Sequence, residues 1–344
     1  MYMQNRAFYY NFLSIISILF FFFGAVYFHE PIAQAVLNAG TRCIFVILPS
    51  LYLFSILAAF CVRSGFLELL AEPFQKIIKT DAVLWLVVIF SQIGGYPAGA
   101  QLLHNLYQNG RISQEQERNL LCACMGCGFG FLFATVGGNL RTALALWLII
   151  SLPNFILAGC LIRNHNIKKA ESPEKLSFSV LLTESVDSAA SAMLKICGMI
   201  LAFGAFMGIL YGIFGDFNQI FASILEISNL SDYMKNGGTL PVAAGLLSFG
   251  GCCVHFQIAA VCENHLDWMK FLVCRILTAV SSGLLCRICL KFFFPESVPA
   301  FLINTVTPAY STQNAVPACC LAVMSVFVLK KYDFFHKSLT NCKK

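Results

Sequence analysis

Apolar runs of roughly twenty residues recur along the whole chain, and nothing else in the sequence narrows its folding options as far. An α-helix of that length, rising 1.5 Å per residue, spans the ~30 Å hydrocarbon layer of a bilayer. Six runs stand clear: Phe8–Phe28, Thr41–Val62, Thr142–Ile162, Ser191–Phe214, Trp268–Leu290 and Ala309–Leu329. Charged residues make up only 12% of the 344, about half the share of roughly 25% in a soluble domain, which excludes a soluble globular enzyme. The blocks are continuous, whereas a transmembrane β-barrel shows short alternating segments. The expected class is an all-α polytopic membrane protein in a lipid bilayer.

Two further segments are apolar but interrupted. Asp81–Asn109 breaks at Gly94-Gly95-Tyr96-Pro97, and Thr239–His265 breaks at Gly250-Gly251. Counting both gives about eight crossings. Cys122–Gly138 is short and Gly-rich and reads as re-entrant; Leu67–Lys79 is amphipathic and suits the interface. The polar stretch 163–176 divides the chain into a first transmembrane half (1–162), a cytoplasmic linker, a second half (177–330) and a cytoplasmic tail (331–344). With the N-terminus in the cytoplasm, fourteen Lys and Arg residues fall inside and seven outside, which favours that orientation. The first run is too long for a secretory signal and reads as a retained span. The basic residues sit in loops and tail, and no aromatic-plus-basic pattern suggests nucleic acid.

The two interruptions echo each other. In both, a Gly pair follows a short apolar half-helix, and a Gln, Gln101 or Gln257, comes six residues after the second Gly. In the eight-crossing topology the segments run in opposite directions, as an inverted repeat requires. A helix broken within lipid leaves backbone N–H and C=O groups unpaired, which is tolerated only beside a cavity or a ligand. Gly allows the backbone angles, Pro97 removes a donor, and each new half-helix points its positive end inward. Gln101, Gln257 and His255 add hydrogen-bonding groups. The competing reading is that the glycines only let helices pack closely.

At these residues the sequence resembles a known family. Gly95-Tyr96-Pro97-Ala98-Gly99-Ala100 is similar to the G-Y-P-x-G-A core of the sporulation integral membrane protein family (YlbJ type), in the nucleoside-recognition or Gate group. LYQNGRISQEQERNLL resembles the polar helix that follows the core, and Phe131–Gly137 the next apolar motif. Val254-His255-Phe256-Gln257 resembles a V-H-x-Q motif, with Arg275 where the family carries Arg in the following span. The resemblance covers roughly 40–290. It implies a fold related to concentrative nucleoside transporters, in the cell (inner) membrane of a spore-forming bacterium, mother cell or forespore. It also implies movement of a small polar solute, of the dipicolinate-like carboxylate or nucleoside class. The chain departs from the family where Gln101 stands in place of a Lys, and where Met125, Gly126, Gly128 and Phe129 replace an Asn pair and a Gly-Pro.

Other features have plainer readings. The sixteen cysteines lie mostly singly within apolar runs, as small hydrophobes and free thiols. Cys122, Cys124 and Cys127 form a loose C-x-C-x-x-C that would suit a soft metal, but small thiols on a re-entrant segment explain it as well. His104 is a weaker candidate ligand than His255. Glu115, Glu117 and Arg118 read as a solvated helix surface. Gly204, Gly208 and Gly212 form a small-residue stripe facing a neighbouring helix, in this chain or in a second copy. No nucleophile elbow, phosphate loop or zinc-protease motif is present, so an enzyme is not expected, nor a resident cofactor or metal.

The functional expectation is a transporter or permease for a small polar or anionic solute, energised by a coupling ion or a partner. Its contact residues would be Gly94, Gly95, Tyr96, Pro97, Gly99, Gln101, Gly250, Gly251, His255, Gln257 and Arg275. The alternative is a non-transporting sporulation assembly factor that retains the fold.

Overall fold

The computed structural model describes residues 2–76, 80–136, 140–162, 177–215, 218–263 and 265–293. The expected linker 163–176, the span Ala309–Leu329 and the tail 331–344 lie outside the described residues. Among the described residues every element is helical.

Among the described residues four helical stretches are long and apolar enough to cross a membrane, or six if each of two bent pairs is one span. The chain is thus a helical protein with several long apolar helices suited to a bilayer. Helix α1 (Tyr2–Tyr27) meets α2 (His29–Arg42) at a bend of 102°. Helix α3 (Leu48–Arg63) meets α4 (Phe66–Gln75), the expected amphipathic segment, at 72°. Then come α5 (Ala82–Gly94), α6 (Tyr96–Gln108), α7 (Gln114–Leu121), α8 (Phe129–Val136) and α9 (Leu140–Ile162). The second half holds α10 (Phe178–Phe214), the short α11 (Gln219–Leu225) and α12 (Leu230–Lys235), α13 (Leu240–Phe249), α14 (Gly251–Val261) and α15 (Trp268–Phe293).

Helix α9 shows how sequence sets orientation. Leu144, Leu148, Leu152 and Ile156 recur every four residues and form one exposed apolar stripe, while Ser151 and Asn154 are buried on the other side. Helix α15 repeats the pattern with Val273, Leu277, Val280, Leu284 and Ile288 outward and Arg275, Thr278 and Ser282 inward. Apolar outside and polar inside is the arrangement a lipid solvent favours.

The Gly stripe of α10 finds its neighbour within the chain. It lies against α2, and a Cβ on Gly208 would sit 2.5 Å from Ile32 Cα. Only glycine lets the two backbones approach this closely. Helix α10 also packs on α3 and α14, α13 on α15, and α15 on α9, so the pieces around the interruptions are held by long helices.

Candidate functional site

The two interruptions have different shapes. At the first, Gly95 takes φ 98 and ψ 174, a conformation open to glycine and strained for other residues. Residues four either side of it then lie side by side, because a Cβ added to Gly99 would collide with the Ser91 side chain and stand 2.6 Å from Cys124 O. Helices α5 and α6 therefore fold back on each other as a hairpin. The sequence reading had this segment as a crossing. Pro97 is the second residue of α6, where its missing N–H costs nothing. At the second interruption Gly250 and Gly251 have φ 89 and 78, yet Leu240–Val261 continues as one 22-residue span.

The two interruptions meet. A Cβ on Gly250 would lie 3.2 Å from the Tyr96 ring, and the Tyr96 hydroxyl donates to Leu247 O in the last turn of α13. His255 Nε2 lies 2.9 Å from Phe249 O, and its ring stacks edge-on against Phe249 and Phe271. Carbonyls at a helix C-terminus lack intrahelical partners. Here one side chain from each interrupted segment caps them, and this is what Tyr96 and His255 do in the structure. The half-helices α6 and α14 pack on each other directly.

Behind the hairpin, residues 122–128 form a buried non-helical loop, with Gly128 against the Gly95 backbone. Three of its carbonyls accept from side chains on three helices. Arg275 Nη2 donates to Cys122 O and, at 3.1 Å, to Asn154 Oδ1. Asn154 Nδ2 donates to Met125 O at 2.9 Å, and Gln92 Nε2 to Ala123 O at 3.4 Å. Arg275 is fully buried, 5.9 Å from the Phe271 ring, and its Nε and Nη1 have no hydrogen-bond partner among the described residues. Its guanidinium thus grips the loop and opens onto neither cavity described next.

Two cavities flank the paired half-helices. The larger, about 670 Å³, lies among α3, α6 and α10 and is lined by Arg63, Gln101, His104, Glu184, Asp187, Ser191 and Lys195, among others. Gln101 is buried and makes no hydrogen bond among the described residues, and its Oε1 is completely covered. Arg63 pairs with Glu184 across the cavity mouth. Lys195, within the apolar Phe178–Phe214 span, has no ion pair or hydrogen bond among the described residues. The smaller cavity, about 50 Å³, is lined by Gly95, Tyr96, Cys127, Glu226 and Gln257, among others. Gln257 Nε2 lies 3.2 Å from Cys253 Sγ. Gln101 and Gln257 therefore sit on packed half-helices but open onto separate cavities. Gly94, Gly99, Gly250, Gly251 and His255 shape the interruptions without lining either space.

Comparison with family models, curated proteins and solved structures finds no match. The site is therefore read from its own residues.

Sequence reasoning missed the polar face of α10. Glu184, Asp187, Ser188, Ser191 and Lys195 fall at i, i+3, i+4, i+7 and i+11, one stripe of a 3.6-residue helix. That periodicity was available, but the span had been started at Ser191, which cut the stripe off. Glu117 also differs from expectation. It is completely buried instead of solvated, with His104 Nδ1 2.8 Å from Oε1 and His265 Nδ1 3.1 Å from Oε2. The carboxylate turns inward because α7 packs beneath α6, whose His104 supplies a polar partner. Among the described residues all cysteines are free and only Cys160 is exposed. Cys122, Cys124 and Cys127 do not converge as a ligand set.

Proposed function

We propose that the chain is a membrane transporter or permease that binds a small polar or anionic solute in the cavity among α3, α6 and α10. The observation that carries this reading is that a buried Gln101 amide and the Lys195 cation, neither with a side-chain partner among the described residues, line one roomy polar space inside an apolar helical body. An uncompensated buried amide is costly unless a ligand or water answers it, and the exposed Lys195 ammonium faces the same space. Arg63 is engaged by Glu184, which leaves Lys195 to meet a solute carboxylate. Gln101 would hydrogen-bond the polar part beside it. Tyr96, His255 and Arg275 then act by holding the interruptions and the loop, and Gln257 serves the smaller cavity.

The inverted repeat, the link to sporulation and the carboxylate or nucleoside class belong to this proposal and rest on the sequence echo and the family resemblance. So do a coupling ion and the cell membrane as location. Uptake into proteoliposomes, with aromatic dicarboxylates and nucleosides as the panel, tests it. Saturable uptake by the wild type that falls in Gln101→Leu and Lys195→Met supports the reading. Uptake unchanged in both variants refutes this site, and no uptake or binding of any panel member shifts the weight to a non-transporting assembly factor.

A further inference from the structure

Next to the polar cavity lies a cluster that the transport reading does not use. His104 near the end of α6, Glu117 on α7 and Cys262 at the C-cap of α14 bring one nitrogen, one carboxylate oxygen and one sulfur within 4.8 Å of one another. The three come from three separate elements and converge in surroundings otherwise filled by residues such as Leu103, Leu120 and Leu121. A buried carboxylate needs only an imidazolium to balance it, so the thiol is the surplus group. Glu117 and Cys262 are completely covered, and the His104 side chain is 12% exposed.

The turn that delivers Cys262 is built for close approach. Cys262 and His265 are spaced C-x-x-H in the sequence, and the His265 N–H donates to Cys262 O at 2.9 Å. Glu263 within it has φ 51, the one non-glycine residue with positive φ among the described residues. The same turn brings His265 Nδ1 to 3.1 Å from Glu117 Oε2, which leaves Oε1 to face His104. His104 is held from its other side, with Gln108 Nε2 3.3 Å from its Nε2 and Glu263 Oε1 at 4.0 Å. Metal-ligating histidines and carboxylates are characteristically held by such outer partners.

We propose that His104 Nδ1, Glu117 Oε1 and Cys262 Sγ bind a divalent transition metal of the zinc type, with His265 as the outer partner of Glu117. Zinc bonds of about 2.0 Å to N and O and about 2.3 Å to S place tetrahedral ligand atoms roughly 3.3–3.6 Å apart. The His104–Glu117 separation of 2.8 Å has to open by a few tenths of an ångström to reach this. A mixed N, O, S set selects Zn²⁺ or Co²⁺ over Mg²⁺ and Ca²⁺, which take oxygen donors. Binding releases the thiol proton and ends a long S–H contact from Cys262 to Ala100 O at 3.8 Å. Thiolate and carboxylate together neutralise the dication, so the buried site carries no net charge. A fourth position stays open toward the cavity that His104 also lines. The ion would join the far ends of α6 and α14, the two half-helices that follow the interruptions.

The test uses the full-length protein in detergent, stripped with chelator and titrated with Co²⁺. One equivalent should bind with a near-ultraviolet thiolate-to-cobalt charge-transfer band that Zn²⁺ displaces. Cys262→Ala should abolish the band, while the triple variant Cys122→Ser, Cys124→Ser, Cys127→Ser keeps it. His265→Ala should keep the band and weaken binding about 10- to 100-fold. His104→Ala should lose the equivalent of bound ion, and it serves in place of Cys262→Ala if that variant does not fold. No Co²⁺ bound by the wild type, or a band that persists in Cys262→Ala, overturns the proposal. Neither readout depends on solute uptake.

Discussion

Tyr96→Phe removes one oxygen atom, and with it the contact that joins the two interruptions. The Tyr96 hydroxyl donates to Leu247 O, and Tyr96 is only 5% exposed. Phe keeps the ring against Gly250, so no cavity forms and the loss is confined to the hydrogen bond. A buried carbonyl left without its donor costs about 1–3 kcal/mol, more than the ~1 kcal/mol net worth of an average hydrogen bond. Tyr96→Ala adds the loss of the ring, for which large-to-small aromatic changes cost about 3–5 kcal/mol. Reversible unfolding by SDS titration in mixed micelles, followed by the fluorescence of the three tryptophans, measures both. His255→Phe removes the other cap on the same turn of α13, at Phe249 O. Once either cap is gone that turn frays, so the second loss should cost less, with a coupling of about 0.5 kcal/mol or more in a double-mutant cycle. Wild-type stability in Tyr96→Phe would refute the reasoning, because it would mean that water already reaches Leu247 O and the junction is open.

Three further outcomes follow from the packing. Gly208→Leu should destabilise the same unfolding transition by about 1–3 kcal/mol or more through α10 against α2, whereas Gly198→Ala, with nothing within 4 Å of the new Cβ, should gain about 0.5–1 kcal/mol. Arg275→Met should cost about 1–3 kcal/mol through the orphaned Cys122 carbonyl if the guanidinium is what holds the loop, and maleimide labelling of the otherwise covered Cys124 and Cys127 should speed up; unchanged labelling would count against that role. In the solute-binding assay Gln101→Leu should lower affinity roughly ten- to a hundredfold, Gln257→Leu should act separately, and the double variant should be additive, since the two amides open onto different cavities.

Much of the helical plan was legible because lipid forces a simple pattern: apolar length announces α9, α10 and α15, and glycine pairs announce both interruptions. The meeting of Tyr96 with Gly250 was only implicit in the matched offsets, since a contact between residues about 150 apart in the chain leaves no periodic trace. The shape of each interruption was not legible either. Gly95 turns the chain back and Gly250 lets it continue, although both positions are glycine with positive φ; ψ and the packing of Ser91 on Gly99 decide the difference. Arg275 was placed among the solute contacts, but its partners are the Cys122 backbone carbonyl, a group every residue carries, and Asn154 Oδ1. Glu117 was misread because its neighbours Glu115 and Arg118 share its polarity, and only the fold of α7 beneath α6 separates the covered position from the wet ones.

The carbonyl clamp on residues 122–128 bears on how the chain is made. Cys122 O takes its donor from Arg275, which is synthesised 153 residues later. Met125 O waits less, for Asn154 on α9, but Asn154 in turn is held by Arg275. Until α15 has left the ribosome and entered the bilayer, the loop carries an unpaired carbonyl in a poorly hydrated place, at a cost of several kcal/mol. The first half is therefore not a finished module when its own translation ends. It has to remain beside the insertion machinery, or keep the loop at the water surface, until the last described helix arrives. A truncation that stops before Arg275 should yield a quality-control substrate even though every helix of the first half is present.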